Sequence, residues 1–293
     1  MPTLTLTDGR KIRYCVMIPS KDRADILAHR LKTMPHLVHR DVYVGYQTDQ
    51  LADYQRLVFD RYPAICPVTF ENPKGSVAWA RQQIKEAVTE RRYQYYVTMD
   101  DNTYATKESL ENLVRCCAEY PEPTVMAGLH RVLLHFDRAR IAKGITTING
   151  LRSYASVSMM MVCVPAELWE PYTYPHDAYG LDDRHWYLWM LDRGYRNFRV
   201  CMDSPFRKPR YQRGGQGDLD ARAVKCGHAI RQLATDFPAM VGSNGTLRIP
   251  WDFILERMAG ATSHRLAMGT TLRTDQMTAP KKRLTIKKKG LRT

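Results

Sequence analysis

The stretch Tyr95-Tyr96-Val97-Thr98-Met99-Asp100-Asp101-Asn102 decides the fold. A β-prone apolar run stops abruptly at two carboxylates and an amide. In open α/β sheets, ligands bind just beyond the carboxyl ends of the strands. Oxygen ligands at such a point suit Mg²⁺ or Mn²⁺, which neutralise a diphosphate. The same residue types also make an ordinary polar turn after a strand. The stretch alone leaves both readings open.

The chain around it alternates short β-type runs with helical patterns, the signature of a mainly parallel sheet. Tyr14–Ile18 reads as a buried first strand, ended by Pro19-Ser20-Lys21-Asp22-Arg23 and followed by a helix from Ala24 to Leu31. Asp41–Tyr46 is the second strand. Leu51–Tyr62 is predicted helical, with Leu51, Tyr54, Leu57 and Val58 on one face. Val68–Phe70 is a short third strand, and Asn72-Pro73-Lys74-Gly75 turns into a helix capped by Ser76. That helix puts Val77, Arg81, Ile84 and Val88 on one side. Tyr95–Met99 is the fourth strand. Leu110, Leu113, Val114 and Cys117 then mark a helical face, and Thr124–Leu129 a further strand. The second half is less regular. Ser156–Val164 is β-like, Asp182-Asp183 leads a helix closed by Gly194, and Phe198–Met202 is a late strand. Arg207–Leu219 reads as a long basic loop, of the kind that is often functional. Helical patterns resume over Ala221–Ala234 and Trp251–Arg257.

The chain has 293 residues, 44% hydrophobic and 25% charged, enough for one substantial core. No apolar run is long enough to span a membrane. Met1–Arg13 lacks the apolar core of a signal peptide, so a cytoplasmic location is expected. Seven scattered cysteines without a CxxC pair point to reduced, partly buried thiols. The net charge is +14, and it is concentrated. One basic zone runs from Arg184 to Arg231 and includes Arg207, Lys208, Arg210 and Arg213. The other is the acid-free tail, with Lys281, Lys282, Arg283, Lys287, Lys288 and Lys289. Such clusters raise the local concentration of polyanions, nucleic acid above all. An expected division follows: a core over 1–205, a C-terminal region on the acceptor side over 206–279, and a basic disordered tail over 280–293.

Several phosphate-binding motifs are absent. There is no P-loop and no HExxH, and Gly214-Gly215-Gln216-Gly217 lacks the strand and helix that flank a Rossmann dinucleotide site. Four other constellations carry chemistry. Pro19, Ser20, Lys21 and Arg23 sit where phosphates and a base could be held. Lys74 precedes the Ser76 cap, and Arg81 falls on the inward face of the following helix. A cation there needs an anionic partner or an exit to solvent. The third is Asp100-Asp101-Asn102. The fourth is Tyr179-Gly180-Leu181-Asp182-Asp183, two acids that suit a helix start and could also serve as a general base.

In this order the four constellations resemble the GT-A glycosyltransferases of the family-2 type, which use nucleotide sugars. The likeness rests on the Ile18-Pro19-Ser20…Arg23 strand end, Gly75-Ser76-Val77-Ala78-Trp79-Ala80-Arg81, the DxD-like Asp100-Asp101-Asn102, and Asp182-Asp183 followed by Arg193-Gly194-Tyr195. It covers roughly residues 14–200. It implies a GT-A-like, mainly parallel sheet flanked by helices, and a hexosyl or pentosyl transferase. Pro19, Ser20, Lys21, Arg23, Lys74, Arg81 and Asp100 would bind the nucleotide sugar, expected to be UDP-linked. Asp100, Asp101 and Asn102 would hold Mg²⁺ or Mn²⁺. Asn102 stands where the family usually has a carboxylate, so either Asp101 takes the ligand role or dependence on metal is reduced. Asp183 or Asp182 would deprotonate the acceptor hydroxyl. His228 is a further candidate ligand.

A narrower resemblance, carried by Ile18-Pro19-Ser20-Lys21…Arg23-Ala24 and compact size, is to the phage TET-associated group that glycosylates hydroxymethylated bases in DNA. It implies double-stranded DNA bearing 5-hydroxymethylcytosine or a similar hydroxymethyl pyrimidine as partner, in bacteriophage DNA hypermodification within the host cytoplasm. Two other functions remain open: the same chemistry on a polysaccharide, lipid or protein acceptor, and a non-catalytic nucleic-acid-binding protein on a GT-A scaffold.

Overall fold

The computed structural model describes residues 3–72, 76–120, 124–130, 145–146, 161–175, 181–202, 206–207, 219–244 and 246. Eleven strands and seven α-helices are labelled in chain order. The first half contains β1 (Thr3–Thr5), β2 (Lys11–Pro19), α1 (Ala24–Thr33), β3 (Val42–Gln47), α2 (Leu51–Tyr54), β4 (Cys66–Phe70), α3 (Val77–Thr89) and β5 (Tyr95–Met99). Next come β6 (Tyr104–Ala105), α4 (Lys107–Glu119), β7 (Thr124–His130), β8 (Ile145–Thr146), β9 (Met161–Pro165) and α5 (Ala166–Trp169). The remainder is α6 (Asp182–Asp192), β10 (Arg196–Met202), β11 (Phe206–Arg207) and α7 (Leu219–Asp236).

The main sheet has the order β4-β3-β2-β5-β9-β7-β10-β8, with β1 added to β2. β4, β3, β2 and β5 are mutually parallel. β9 then runs antiparallel between β5 and β7, and β10 pairs parallel with β7. The short β6 and β11 form a separate ribbon. The strand order reverses at β2, between β3 and β5. That is the switch point at which open α/β sheets bind ligands, and the loops after β2 and β5 open there.

The inner strands are apolar on both faces, as strands covered by helices on each side must be. Val16, Ile18, Val97 and Met99 face a core built with α1 and α4. Cys15, Met17 and Tyr96 face the opposite way, towards α3, α5 and α6. The helix ends follow their sequence signals. Ser76 caps α3 by accepting from the Trp79 amide, and Thr106 caps α4 by accepting from Ser109. Gly194 closes α6 at φ 74°, in the left-handed region that favours glycine. A third cluster joins Leu188 and Leu191 of α6 to Leu233 of α7 and to Phe237 just beyond its end. Cys15, Cys66, Cys116, Cys117 and Cys163 are free thiols, three of them buried. Among the described residues, no helix is long and apolar enough to cross a membrane.

One predicted element changes form. The helix expected over 51–62 is α-helical only to Tyr54 and continues as a π-helical turn, Gln55–Phe59. The wider turn shifts the phase of everything after it. Tyr54, Val58 and Phe59 are buried, Leu57 packs partly against the core, and Leu51 is left 46% exposed. Of the β-like run 156–164, the structure describes 161–164, within β9. The expected loop 207–219 and helix 251–257 lie largely or wholly outside the described residues.

α3 lies directly on β3 because Gly45 has no side chain. A Cβ there would overlap the buried Ile84 side chain and press on Phe70 at 3.1 Å. Gly45→Ala is therefore expected to lower unfolding free energy by about 1–3 kcal/mol. Ile84→Val in the same chain should recover part of the loss, as a double-mutant cycle in urea would measure.

Candidate active site

The loop after β2 is built around Asp101. Ser20 Oγ donates to Asp101 Oδ2 at 2.8 Å, and Arg23 Nη1 donates to Oδ1 at 3.0 Å. Tyr54, the buried residue just before the π-turn, donates its hydroxyl to Ser20 Oγ at 2.6 Å. Tyr46 stacks on the Tyr54 ring at 4.6 Å. The tip of the loop is held by Gln50, which accepts from the Asp22 amide at 3.1 Å and donates back to the Asp22 carboxylate. Asp22 stands at φ 54°, a left-handed conformation that a short polar side chain tolerates. Two buried side chains and one clamp thus fix Pro19, Ser20, Lys21 and Arg23 at the mouth of the switch point.

Asp101, the carboxylate that could take the ligand role in place of Asn102, is tied into the fold by these contacts. Both of its oxygens are engaged, and it is 5% exposed. Burial raises its pKa, opposed by Arg23 and Ser20. Its place is behind the loop after β2, tying the end of β5 to the end of β2.

The second cluster centres on Arg81, which reaches inward from the first turns of α3. One end of the guanidinium pairs with Asp182 Oδ2 at the start of α6. The other donates to Asp100 Oδ1 at 3.2 Å. The anionic partner that an inward-facing arginine needs is therefore supplied twice, by two segments far apart in the chain. Arg81 and Asp182 are both buried, whereas the Asp100 side chain is 20% exposed.

Asp183 is treated differently from its neighbour. Among the described residues its carboxylate accepts the adjacent Arg184 amide, at 2.8 Å, and it is half-buried rather than sealed. Burial raises its pKa above the ordinary value; the Arg184 amide and Arg81 pull it back, and Asp100 adds to the rise. A carboxylate with a raised pKa and little internal commitment has the character of a proton acceptor. The sequence leaves Asp182 and Asp183 equivalent. The fold commits Asp182 to Arg81 and leaves Asp183 half-buried beside it.

Around a metal, the donor set is sparse. Among the described residues there is no group of three or more His, Cys, Asp or Glu that could hold an ion. Asp100 is partly accessible, and Asn102 Oδ1 is buried without a hydrogen-bond partner among the described residues. One carboxylate and one unpaired amide oxygen fit a Mg²⁺-type ion that takes its other ligands from phosphate and water. His228 contributes nothing here: it lies on an exposed turn of α7, with Arg231 Nη2 2.9 Å from its Nδ1.

The remaining candidates fall outside what can be placed. Lys74, Lys208, Arg210, Arg213, Lys281, Lys282, Arg283, Lys287, Lys288 and Lys289 lie outside the described residues, and Arg207 is described only as backbone in β11. The sequence reading missed Gln50, the Tyr54 hydroxyl and the Lys85 ammonium. Buried Lys85 donates to the Glu170 and Tyr172 carbonyls. None of these has a sequence signal, because each acts on a partner distant in the chain.

No family model matches the sequence, and no curated protein matches it. Solved structures do resemble the fold. The mannosyltransferase PcManGT from Pyrobaculum calidifontis, in complex with GDP-Man and Mn²⁺, aligns with a TM-score of 0.53 at 17% identity, over 94% of this chain and 81% of that one. Glucosyl-3-phosphoglycerate synthase from Mycobacterium tuberculosis, with Mn²⁺, UDP and phosphoglyceric acid, aligns at 0.52 and 11% identity over 76% of this chain and 78% of that one. TarS from S. aureus aligns at 0.52 and 12% identity over 90% and 77%. The fold is thus GT-A-like, a mixed sheet flanked by helices.

Breaking the Arg81–Asp182 pair and neutralising Asp183 should have opposite effects on stability. Arg81→Ala strands the buried Asp182 carboxylate and is expected to cost about 3–5 kcal/mol. Asp183 has a native pKa above its unfolded value, so its ionised form costs stability once pH rises past the ordinary carboxylate range. Asp183→Asn removes that cost, and the variant should melt at or above wild type at pH 7 in a calorimetric scan.

Proposed function

We propose that the protein is a glycosyltransferase that moves a sugar from a nucleoside diphosphate to a hydroxyl group, with Asp183 as the general base. The observation that carries this reading is the single guanidinium of Arg81 joining Asp100 to Asp182, beside an uncommitted Asp183. The alignment with nucleotide-sugar transferases supports it, as does the position of the cluster at the sheet's switch point. An acid–base pair alone would suit many hydrolytic reactions. A diphosphate-facing carboxylate next to a buried arginine, with a raised-pKa carboxylate adjoining, suits transfer from an activated sugar.

The roles follow from the chemistry of each side chain. Ser20, Lys21 and Arg23 bind the nucleotide, with Pro19 shaping the loop and Asp101 holding it from behind. Lys74, by its place in the sequence motif, would add a cation for the diphosphate. Asp100 and the Asn102 amide oxygen would hold Mg²⁺ or Mn²⁺, which supplies charge neutralisation to the departing diphosphate. Arg81 keeps Asp100 directed outwards and keeps α6 against the site. Asp183 accepts the proton of the acceptor hydroxyl as that oxygen attacks the anomeric carbon. Inversion is the expected stereochemistry, since no second side chain stands ready as a nucleophile among the described residues.

For the acceptor we infer a hydroxymethyl pyrimidine in double-stranded DNA, the donor being UDP-linked. The support is the concentration of positive charge in 184–231 and 281–293, which a phosphate backbone would reward. In this reading residues 206–279 form the acceptor side, the tail from 280 adds phosphate contacts, and the reaction runs in the cytoplasm, where DNA and nucleotide sugars meet.

Asp183→Asn is expected to lower kcat by about 10²–10⁴-fold while nucleotide affinity, measured by calorimetry, stays near wild type. Full activity in that variant would sink the base assignment. The acid limb of kcat/KM should lie above the ordinary carboxylate value of 3.8, because burial favours the protonated form of Asp183. The acceptor is tested by incubation with Mn²⁺, a panel of nucleotide sugars, and duplex DNA with or without 5-hydroxymethylcytosine. A hexose or pentose mass gain on the modified nucleoside is expected. Sugar release without labelled DNA would favour another acceptor, and DNA binding without turnover a non-catalytic scaffold. Trimming the chain after Ala279 should weaken DNA binding and flatten its salt dependence.

A further inference from the structure

The helix that carries Asp182 and Asp183 has no side-chain cap at its start. Its first turn is closed by the His185 amide, which donates to Leu181 O at 2.9 Å. What holds that turn in place must come from elsewhere. Arg81 is one tether, through Asp182. The other is the His185 side chain, which the roles assigned above do not use.

His185 is buried between two partners on different elements. Its Nε2 lies 3.1 Å from Asp236 Oδ2, at the last residue of α7. Its Nδ1 lies 2.8 Å from the Tyr172 hydroxyl. Asp236 can only accept, so it takes the Nε2 proton and leaves Nδ1 to accept from Tyr172. Gln232, one turn back on α7, donates to both Asp236 oxygens, at 2.8 and 2.9 Å. Phe237 packs edge-on against the imidazole at 5.0 Å. Tyr172 is itself fixed at its backbone by Lys85 and at its ring by Trp186, 4.2 Å away and perpendicular. The chain Gln232–Asp236–His185–Tyr172 therefore runs from the end of α7, through the first turn of α6, into the aromatic core.

We propose that Asp236 and His185 are positioning residues for the base: the end of α7 sets the orientation of the first turn of α6, and with it the aim of Asp183. The inference rests on the reading of Asp183 as base. Its geometric ground is that His185 closes the turn with its amide and anchors the turn with its ring. Releasing the ring frees the turn to rotate about the Arg81–Asp182 contact, which swings Asp183 without touching the loops after β2 and β5 that would bind the donor. Misplacement of a catalytic group by a fraction of an ångström is enough to be seen in turnover. The proposal also gives α7, which lies outside the motif-bearing part of the chain, a place in catalysis.

The test uses the full chain and four variants: Asp236→Ala, Asp236→Asn, Tyr172→Phe and Asp183→Asn. Turnover is read as release of UDP from UDP-glucose with Mn²⁺, with and without hydroxymethylated duplex DNA. Donor KM, UDP affinity and the melting temperature are measured in parallel. Asp236→Ala is expected to lower kcat about ten-fold with donor KM changed less than about two-fold. Asp236→Asn keeps an acceptor oxygen for Nε2–H and should restore most of the loss. Tyr172→Phe should fall between them. Long-range ¹H–¹⁵N spectra should give His185 as the Nε2–H tautomer in wild type and a mixture of tautomers in Asp236→Ala. An unchanged kcat in a folded Asp236→Ala variant, or a kcat loss matched by an equal rise in KM and not rescued by asparagine, would overturn the positioning role alone, provided that Asp183→Asn is inactive. A fully active Asp183→Asn overturns the base assignment and this inference with it. If Asp236→Ala fails to fold, Tyr172→Phe, which removes one oxygen, carries the same two outcomes.

Discussion

Everything at the mouth of this sheet depends on keeping one buried guanidinium neutralised. Arg81 reaches into the fold from α3, where a cation without partners would be prohibitive. It is matched by Asp100 from the end of β5 and by Asp182 from the start of α6. The three groups come from three separate segments, so the contact can form only when the two halves of the sheet have closed on each other. A buried pair of this kind adds little net stability over an apolar replacement, yet removing one partner is costly. It acts as a registration device: it states where α6 must lie relative to the parallel strands.

The consequence for chemistry is a division of labour between side chains of the same type. Four acidic residues surround the switch point, and their surroundings give them different work. Asp101 is turned inward, between Ser20 and Arg23, and stiffens the loop above it. Asp182 answers Arg81. Asp100 answers Arg81 with one oxygen and remains partly open. Asp183 is half-buried with one described hydrogen bond to its carboxylate, from the Arg184 amide, and burial raises its pKa. Aspartates adjacent in the chain are thus sorted by geometry, since consecutive residues on a helix or turn point in different directions.

Much of the architecture is legible in the residues. The runs at 14–18, 42–46 and 95–99 are apolar at every position but Thr98, as strands covered on both faces require. Ser76, Thr106 and Gly194 sit at helix ends for local reasons. The inward position of Arg81 follows from its spacing with Ile84 and Val88. Legibility fails where a local pattern is altered by a neighbour. The π-turn after Tyr54 brings Phe59 into the core beside Val58 and leaves Leu57 only partly buried. The antiparallel course of β9 has no sequence signal, since a buried strand looks the same in either direction.

The sequence by itself determined that acids would gather beyond the strand ends, that a cation would face inward opposite them, and that positive charge would collect in two zones. Those are properties of spacing and composition. Only the tertiary structure decided which acid meets which partner. Asp101 is taken up by Ser20 and Arg23, and Asp182 by Arg81. The same holds for the ring of His185, whose partners Tyr172 and Asp236 lie 13 and 51 residues away. Hydrogen bonds and ion pairs are satisfied by whatever the fold brings within about 3 Å, and distance along the chain carries no record of it.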